Sequence, residues 1–386
     1  MLLTSEIRNM IDRSYLLNRS FALTRIYIHL IYTNYNPNVL CPRCLSKMPP
    51  DKIVYLFGAG STIAETQYAG ILEKPSLEYI SEMVIKKAKE GELSQALSEI
   101  ESDDIRDIEL YISLLESVRT KKYFAIADKL RSLFSKSIQD ALKIEGNTIE
   151  PTITNALLQM HGAIKEEEKL MGVISLNYDN LLDRAFEEVF GGVNYGIDCR
   201  CEKAKYTIQR EGPVLLKLHG SFNWRGGFPS VKIDEEQAQS GEEESMIWIP
   251  PSIQKEKDSY PFNILWGKAS ELLDCDVLRI VGCNLRQNDW GLLSMIYYSQ
   301  LEAHETYEIQ LINSHQEGEL IRQRNGFLRN IKILGELENC QDLVDPPPQN
   351  PFESWLRLTL AKLREKGVKI DELGLKHINA LLGVTS

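Results

Sequence analysis

The sequence predicts an α/β fold: a Rossmann-like, mainly parallel sheet with a helical insertion and a short helical C-terminal tail. Three observations carry this expectation. Short apolar runs rich in β-branched residues recur between Ile53 and Ile312. Segments of helical periodicity alternate with them, as strand–helix–strand units require. Several of the runs stop abruptly at a Gly, His or Asn, which is how a buried parallel strand meets a ligand-facing turn.

Taken in order, residues 1–50 read as a helical lead-in followed by a proline-rich loop with Cys41-Pro42-Arg43-Cys44. Ile53–Phe57 is a buried strand ending at Gly58. Residues 76–170 form a helical insertion: Ile80, Val84 and Ala88 share one face, Leu93, Leu97 and Ile100 another, and Leu110, Leu114, Leu115 and Val118 continue the pattern. One more helix is expected from Asn155 to Leu170. Met171–Leu176 is a strand, Leu181–Phe190 a helix, and Val214–Leu218 a strand ending at His219. Residues 226–246 read as a polar surface loop. Asp276–Val281 is a strand ending at Gly282, Asn288–Leu301 a helix, and Glu308–Ile312 a strand ending at Asn313. Past the prolines at 346–348, Phe352–Leu363 is an amphipathic helix carrying Trp355, Leu356 and Leu360, and residues 369–383 a last short one. The expected organisation is a lead-in (1–50), a catalytic domain (51–315) and a C-terminal segment (316–386) used for packing or oligomerisation.

Bulk properties exclude several classes. The chain has 386 residues with hydrophobic and charged fractions of 43% and 26%, those of an ordinary globular protein. A net charge of −11 argues against direct nucleic-acid binding, which needs a dense positive surface. Seven Cys, an odd number, fit reduced thiols better than a disulfide framework. With no apolar run of membrane-spanning length and no secretory pattern at Met1–Glu6, the expected location is the cytoplasm.

Four strings at strand ends carry the chemistry: Gly58-Ala59-Gly60-Ser61-Thr62, Ser175-Leu176-Asn177-Tyr178-Asp179, Leu218-His219-Gly220-Ser221 and Gly282-Cys283-Asn284. Glycine turns after strands bring backbone N–H groups to a phosphate, and Gly58 and Gly60 would supply the positive φ and close approach such a turn needs. Asn177 can orient a water or hold a sugar hydroxyl without charge. His219 can take a proton near neutrality. Read singly, each string has a plain structural alternative: a tight turn for Gly58–Ser61, an N-cap of the 180–190 helix for Asp179, a satisfied polar group for His219. Together they point to a nucleotide-binding enzyme.

As a set, the strings resemble the NAD-binding core of the sirtuin (silent-information-regulator) family, and its divergent bacterial members most. That pattern is a GAG-x-Ser turn, a Thr-Gln-Asn-x-Asp string, a His-Gly, a Gly-Thr-Ser turn and a late Asn after an apolar strand. Here Thr62 stands at the family's Ser, Asn177 and Asp179 are retained, His219-Gly220 matches, Gly282 alone matches in the fourth string, and Ile312-Asn313 fits the last. The resemblance implies NAD+ as substrate. Asn177 would hold the nicotinamide ribose and His219 would be the general base. Gly58, Ala59, Gly60 and Thr62 would cradle the diphosphate, with Asp179 and Gly282 in the same site and Asn284 and Asn313 on the adenosine side.

Departures sharpen the expectation. Deacylating sirtuins carry a Pro-Asp-Phe-Arg string where this chain has Ala64-Glu65-Thr66-Gln67-Tyr68, and a four-Cys zinc ribbon where residues 219–282 hold only Cys275. No metal is therefore expected; the alternative ligand set would pair Cys41 and Cys44 with Cys199 and Cys201. The resemblance implies an NAD+ glycohydrolase of bacterial anti-phage defence, acting by NAD+ depletion as a homo-oligomer restrained by a HerA-type ATPase partner. The other readings are an NAD-dependent deacylase or ADP-ribosyl transferase, and a non-catalytic NAD or ADP-ribose sensor.

Overall fold

The computed structural model describes residues 49–71, 76–91, 107–118, 120–144, 147–203, 206–234, 246–249, 257–303, 307–335, 348–368 and 376–382. Most of the expected lead-in, with Cys41 and Cys44, and the face Leu93–Leu97–Ile100 lie outside them. From Pro50 onward the chain clusters as one unit.

Its strands in chain order are β1 Asp51–Phe57, β2 Lys143–Ile144, β3 Asn147–Thr148, β4 Glu168–Ser175, β5 Cys199–Lys203, β6 Val214–Lys217, β7 Gly220–Gly227, β8 Ser230–Asp234, β9 Met246–Trp248, β10 Val277–Val281, β11 Glu308–Ile312 and β12 Ile331–Leu334. The helices among the described residues are α1 Ala59–Tyr68, α2 Leu77–Glu90, α3 Ile108–Ser117, α4 Lys121–Ala141, α5 Thr152–Ala163, α6 Leu181–Phe190, α7 Phe262–Leu272, α8 Trp290–Glu302, α9 His315–Arg324, α10 Pro351–Glu365 and α11 Lys376–Leu381.

Six strands form one parallel sheet in the order β12-β11-β10-β1-β4-β6. This is the α/β, Rossmann-like class the alternating pattern predicted. Chain order runs outward in both directions from β1, so strand order reverses between β1 and β10. Ligands of open α/β sheets bind outside the carboxyl ends of the strands at such a switch point. β1 is buried from Ile53 to Phe57, as its unbroken apolar run demands of a central strand covered on both faces.

Two expectations change and a third narrows. The helix expected over Asn155–Leu170 ends at Ala163, and Glu168–Leu170 already belongs to β4. The expected surface loop over 226–246 contains strand: β7 and β8 join β5 and β9 in a second, four-stranded sheet. In β8, buried Val231 and Ile233 alternate with exposed Lys232, a short period-2 pattern hidden by the Gly226–Ser230 turn, while β7 is buried from Gly220 to Arg225. Third, of the two uses left open for the C-terminal segment, packing and oligomerisation, α10 takes the first with Trp355, Leu356 and Leu360, which are buried in the main core. Trp355 lies 5.4 Å from the Arg279 guanidinium, which forks onto Glu168 at 2.6 and 2.7 Å and donates to Tyr55 at 2.9 Å. The helix therefore covers a charged row on the sheet face, and its apolar side is spent there. Among the described residues no helix is long and apolar enough to cross a membrane.

The same buried row gives a pH-dependence. His161 of α5 accepts or donates across 2.8 Å to the Tyr55 hydroxyl, and burial pushes its pKa down to about 4; Glu168, 3.8 Å away, offsets only part of this. The fold thus favours the neutral imidazole. Its contribution is complete above the unfolded value of about 6.5 and is lost as pH falls toward 4, roughly 3 kcal/mol at about 1.4 kcal/mol per unit. Urea melts at pH 7.5 and 4.5 should show this loss, and His161→Phe should remove it. An equal loss in the variant would refute the assignment.

Candidate active site

At the carboxyl edge of the sheet lies a cavity of about 600 Å³, within the size range of roughly 300–1,000 Å³ typical of small-molecule sites. It sits at the switch point. The strand ends of β1, β4, β6, β10 and β11 all reach it, and all ten residues anticipated for the site line it: Gly58, Ala59, Gly60, Thr62, Asn177, Asp179, His219, Gly282, Asn284 and Asn313. Their individual parts differ from expectation in several places.

The two glycine turns lean on each other. Gly60 N–H donates to the Gly282 carbonyl at 2.8 Å and Gly58 N–H to that of Val281 at 3.0 Å. Gly58 has an extended φ of −114° and Gly60 is helical, so neither needs a positive φ. What they need is room: a Cβ on Gly60 would sit 2.6 Å from Gly282 Cα, and one on Gly58 2.7 Å from Cys283 Cβ. The left-handed residue is Gly282, at φ +58°. Because the Gly58, Gly60 and Ser61 amides are engaged by carbonyls, the anticipated cradle of backbone N–H groups reduces, among the described residues, to Ala59 in the first turn of α1.

The feature suited to an anion is instead a convergence of helix ends. The N-termini of α1, α9 and α10 all line the cavity, through Ala59, Ser314 and Asn350 respectively, and helix N-termini favour negative charge. Arg286 is the cavity's one Arg or Lys among the described lining residues, against Glu78, Glu109, Asp179, Asp289 and Glu317.

Asn177 is held from one side. Its Nδ2 donates toward Gly58 O (3.1 Å), Ser61 Oγ (3.1 Å) and Thr62 Oγ1 (3.0 Å). A carbonyl only accepts, so the Gly58 contact fixes the amide orientation. Oδ1 is then the atom left for an occupant, an acceptor suited to a water or hydroxyl proton. Thr62 passes the chain on, donating to Asp179 Oδ2 at 2.8 Å, while Asp179 Oδ1 accepts from Leu181 N–H at 3.1 Å. Asp179 thus serves the first N–H of α6 from just outside it, the N-cap itself being Asn180, and braces Thr62 at once; burial raises its pKa despite nearby Lys217.

His219 follows β6 and is 5% exposed. Its Nδ1 lies 3.2 Å from the Leu176 carbonyl. That carbonyl can only accept, so Nδ1 carries the proton and Nε2 is the basic nitrogen. Asn313 lines the cavity too, but its amide braces the β10 turn: Oδ1 accepts from Gly282 N–H at 3.0 Å and Nδ2 donates toward Cys283 O at 3.5 Å. Asn284 is exposed, as is Ala59. Among the described residues no three His, Cys, Asp or Glu side chains cluster as metal ligands.

Three residues escaped the sequence reading. Tyr178 stacks on Phe222 (5.4 Å) and meets Trp248 and Phe134 edge-on, joining the site to the core of the helical insertion. Its signal was an aromatic flanked by two polar site residues. Lys217, fully buried, was visible as one charge in an apolar strand. Arg286 follows Leu285, a non-glycine residue at φ +42° whose carbonyl accepts from the buried Asn325 at 3.2 Å; nothing local marked it.

No family model matches the chain, and no curated protein does. Among solved structures, it is similar to a mutant of a Sir2 homologue in complex with ADP-ribose, at 13% identity and a TM-score of 0.33, over 75% of this chain and 96% of that one. At that level of superposition the neighbour adds nothing to the chemistry; the α/β class rests on the sheet itself.

Proposed function

We propose that the chain is an NAD+ glycohydrolase. The observation that carries the reading is the pairing, in one cavity at the switch point, of an Asn177 carboxamide locked with Oδ1 available and a His219 locked with Nε2 basic. The C–N bond between ribose and nicotinamide breaks, its electron pair leaving on the nicotinamide nitrogen. Water, oriented by Asn177 Oδ1, adds to the oxocarbenium-like carbon. Its proton goes to His219 Nε2. The diphosphate would lie against Ala59, Arg286 and the helix N-termini. Incubation with NAD+ should release nicotinamide, and calorimetry should detect ADP-ribose binding. Absence of both would overturn the reading.

Restraint of this activity by assembly, in bacterial anti-phage defence and with a HerA-type ATPase, belongs to the same proposal and rests on the motif resemblance alone. Co-purification with such an ATPase tests it. Self-assembly has a surface to favour it. From Trp290 to Leu301, α8 carries no charged residue, yet Trp290, Tyr298 and Leu301 are 68%, 64% and 45% exposed. A chain of net charge −11 meets its own copy at least cost through an uncharged, aromatic face. Light scattering at micromolar concentration should give a multiple of 44.1 kDa, and Trp290→Asp should reduce it to the monomer. A monomeric wild type would refute the self-contact.

A further inference from the structure

Lys217 and Asp183 form an ion pair with no exposure at all, and the proposed chemistry uses neither. Buried pairs of this kind seldom add stability over apolar residues of similar volume, so their presence asks for another reason. The Lys217 ammonium spends its three donors on Asp183 Oδ2 (2.8 Å), Ser221 Oγ (2.6 Å) and the main-chain carbonyl of Asp179 (2.5 Å). Ser221 Oγ in turn donates to the Tyr178 carbonyl at 3.1 Å, which also accepts from Phe222 N–H at 3.1 Å. Asp183 is steadied on its other oxygen by the Tyr195 hydroxyl and sits in the first turn of α6, where a negative charge is favoured. The network therefore ends on the two carbonyls directly after Asn177.

Lys217 is also two residues before His219, at the end of β6, and the His219 ring is oriented by the carbonyl of Leu176, directly before Asn177. One buried charge pair thus clamps the 176–179 turn, which carries Asn177 and the orienting carbonyl, to the strand end that carries His219. We propose that Lys217 and Asp183 are positioning residues that set His219 and Asn177 relative to one another. The inference rests on the glycohydrolase reading for its kinetic consequence, but not for its structural one.

The test replaces both charges, Lys217→Met with Asp183→Leu, so that no unpaired charge is left to unfold the protein; Lys217→Met alone is the companion. In the double variant the rate of nicotinamide release at saturating NAD+ should fall about 100-fold, the scale of a misplacement of about 1 Å. KM and ADP-ribose affinity should stay within about threefold, because the turns after β1 and β10 are untouched. A loss confined to KM, or a rate within threefold of wild type, overturns the proposal. Hydrogen exchange gives the readout that survives failure of the glycohydrolase reading. The amides of Leu181 and Phe222 should exchange at least tenfold faster in the double variant at an unchanged melting temperature. Unchanged exchange there refutes the clamp whether or not NAD+ is the substrate. A double variant that does not fold also refutes it, since the pair would then be structural.

Discussion

Asn177→Ala and His219→Ala should each reduce NAD+ cleavage by about 10²–10⁴-fold, the usual range for losing a group that moves or orients a proton. The two losses have different accompaniments. Asn177→Ala removes the donor that serves Gly58 O, Ser61 and Thr62, all at a buried turn, so it should also cost about 1–3 kcal/mol of stability. His219→Ala removes a hydrogen bond to the Leu176 carbonyl and a ring contact with Tyr178, 6.0 Å between centroids. Position at a strand end does not put either side chain outside the packed core. At 9% and 5% exposure they are inside it, so turnover must be measured well below each variant's melting point. ADP-ribose affinity should fall less than tenfold in either. Wild-type turnover in either variant would remove that residue from the mechanism.

How much of this was legible follows from where the signal lay. The central strands were readable from their apolar residues, most clearly at Ile53–Phe57, which is apolar throughout as burial on both faces requires and stands out from polar flanks. The ends of those strands were readable because Gly, Asn and His are costly or unusual there. β7 and β8 were not, since β7 buries polar Ser221, Asn223 and Arg225 among its apolar residues, β8 has only Val231 and Ile233 as apolar residues, and a turn of Gly226–Ser230 looks like open loop. The partners of the site residues were invisible for another reason. Asn313 and Asn284 are both polar residues after apolar strands, and only the packing of Gly282 decides that the first braces a turn while the second stays exposed. Trp355 shows the same limit. An apolar helix face says that it is covered, not by what, and the cover is Arg279.

Gly282→Ala should be among the most damaging single methyls at the described glycines, as should Gly220→Ala, whose φ of +75° and 2.3 Å approach to the Ile247 carbonyl oxygen combine the same two costs. Both costs can be read at Gly282. The φ of +58° is left-handed, where a Cβ costs roughly 1–2 kcal/mol. The added Cβ would also stand 2.4 Å from both the Gly60 carbonyl carbon and the Ser61 nitrogen, which are backbone atoms that cannot rotate aside. Forced overpacking adds about 1–3 kcal/mol. A total of about 2–5 kcal/mol is a large part of the roughly 5–15 kcal/mol that holds a domain folded. Gly212 separates the two costs: its φ is +87°, with nothing within 4 Å of its Cβ position, so Gly212→Ala carries the backbone cost alone. Denaturant melts of both variants should therefore differ by the contact cost, Gly282→Ala being the weaker by at least about 1 kcal/mol. Equal stabilities would mean that the two turns do not press on each other. Relief of the overlap can come only by parting α1 from the β10 turn, which draws Ala59 away from Asn284 and Arg286. ADP-ribose affinity should accordingly fall at least tenfold in Gly282→Ala and not at all in Gly212→Ala, because the glycine contact at the switch point is what holds the two halves of the cavity at one spacing.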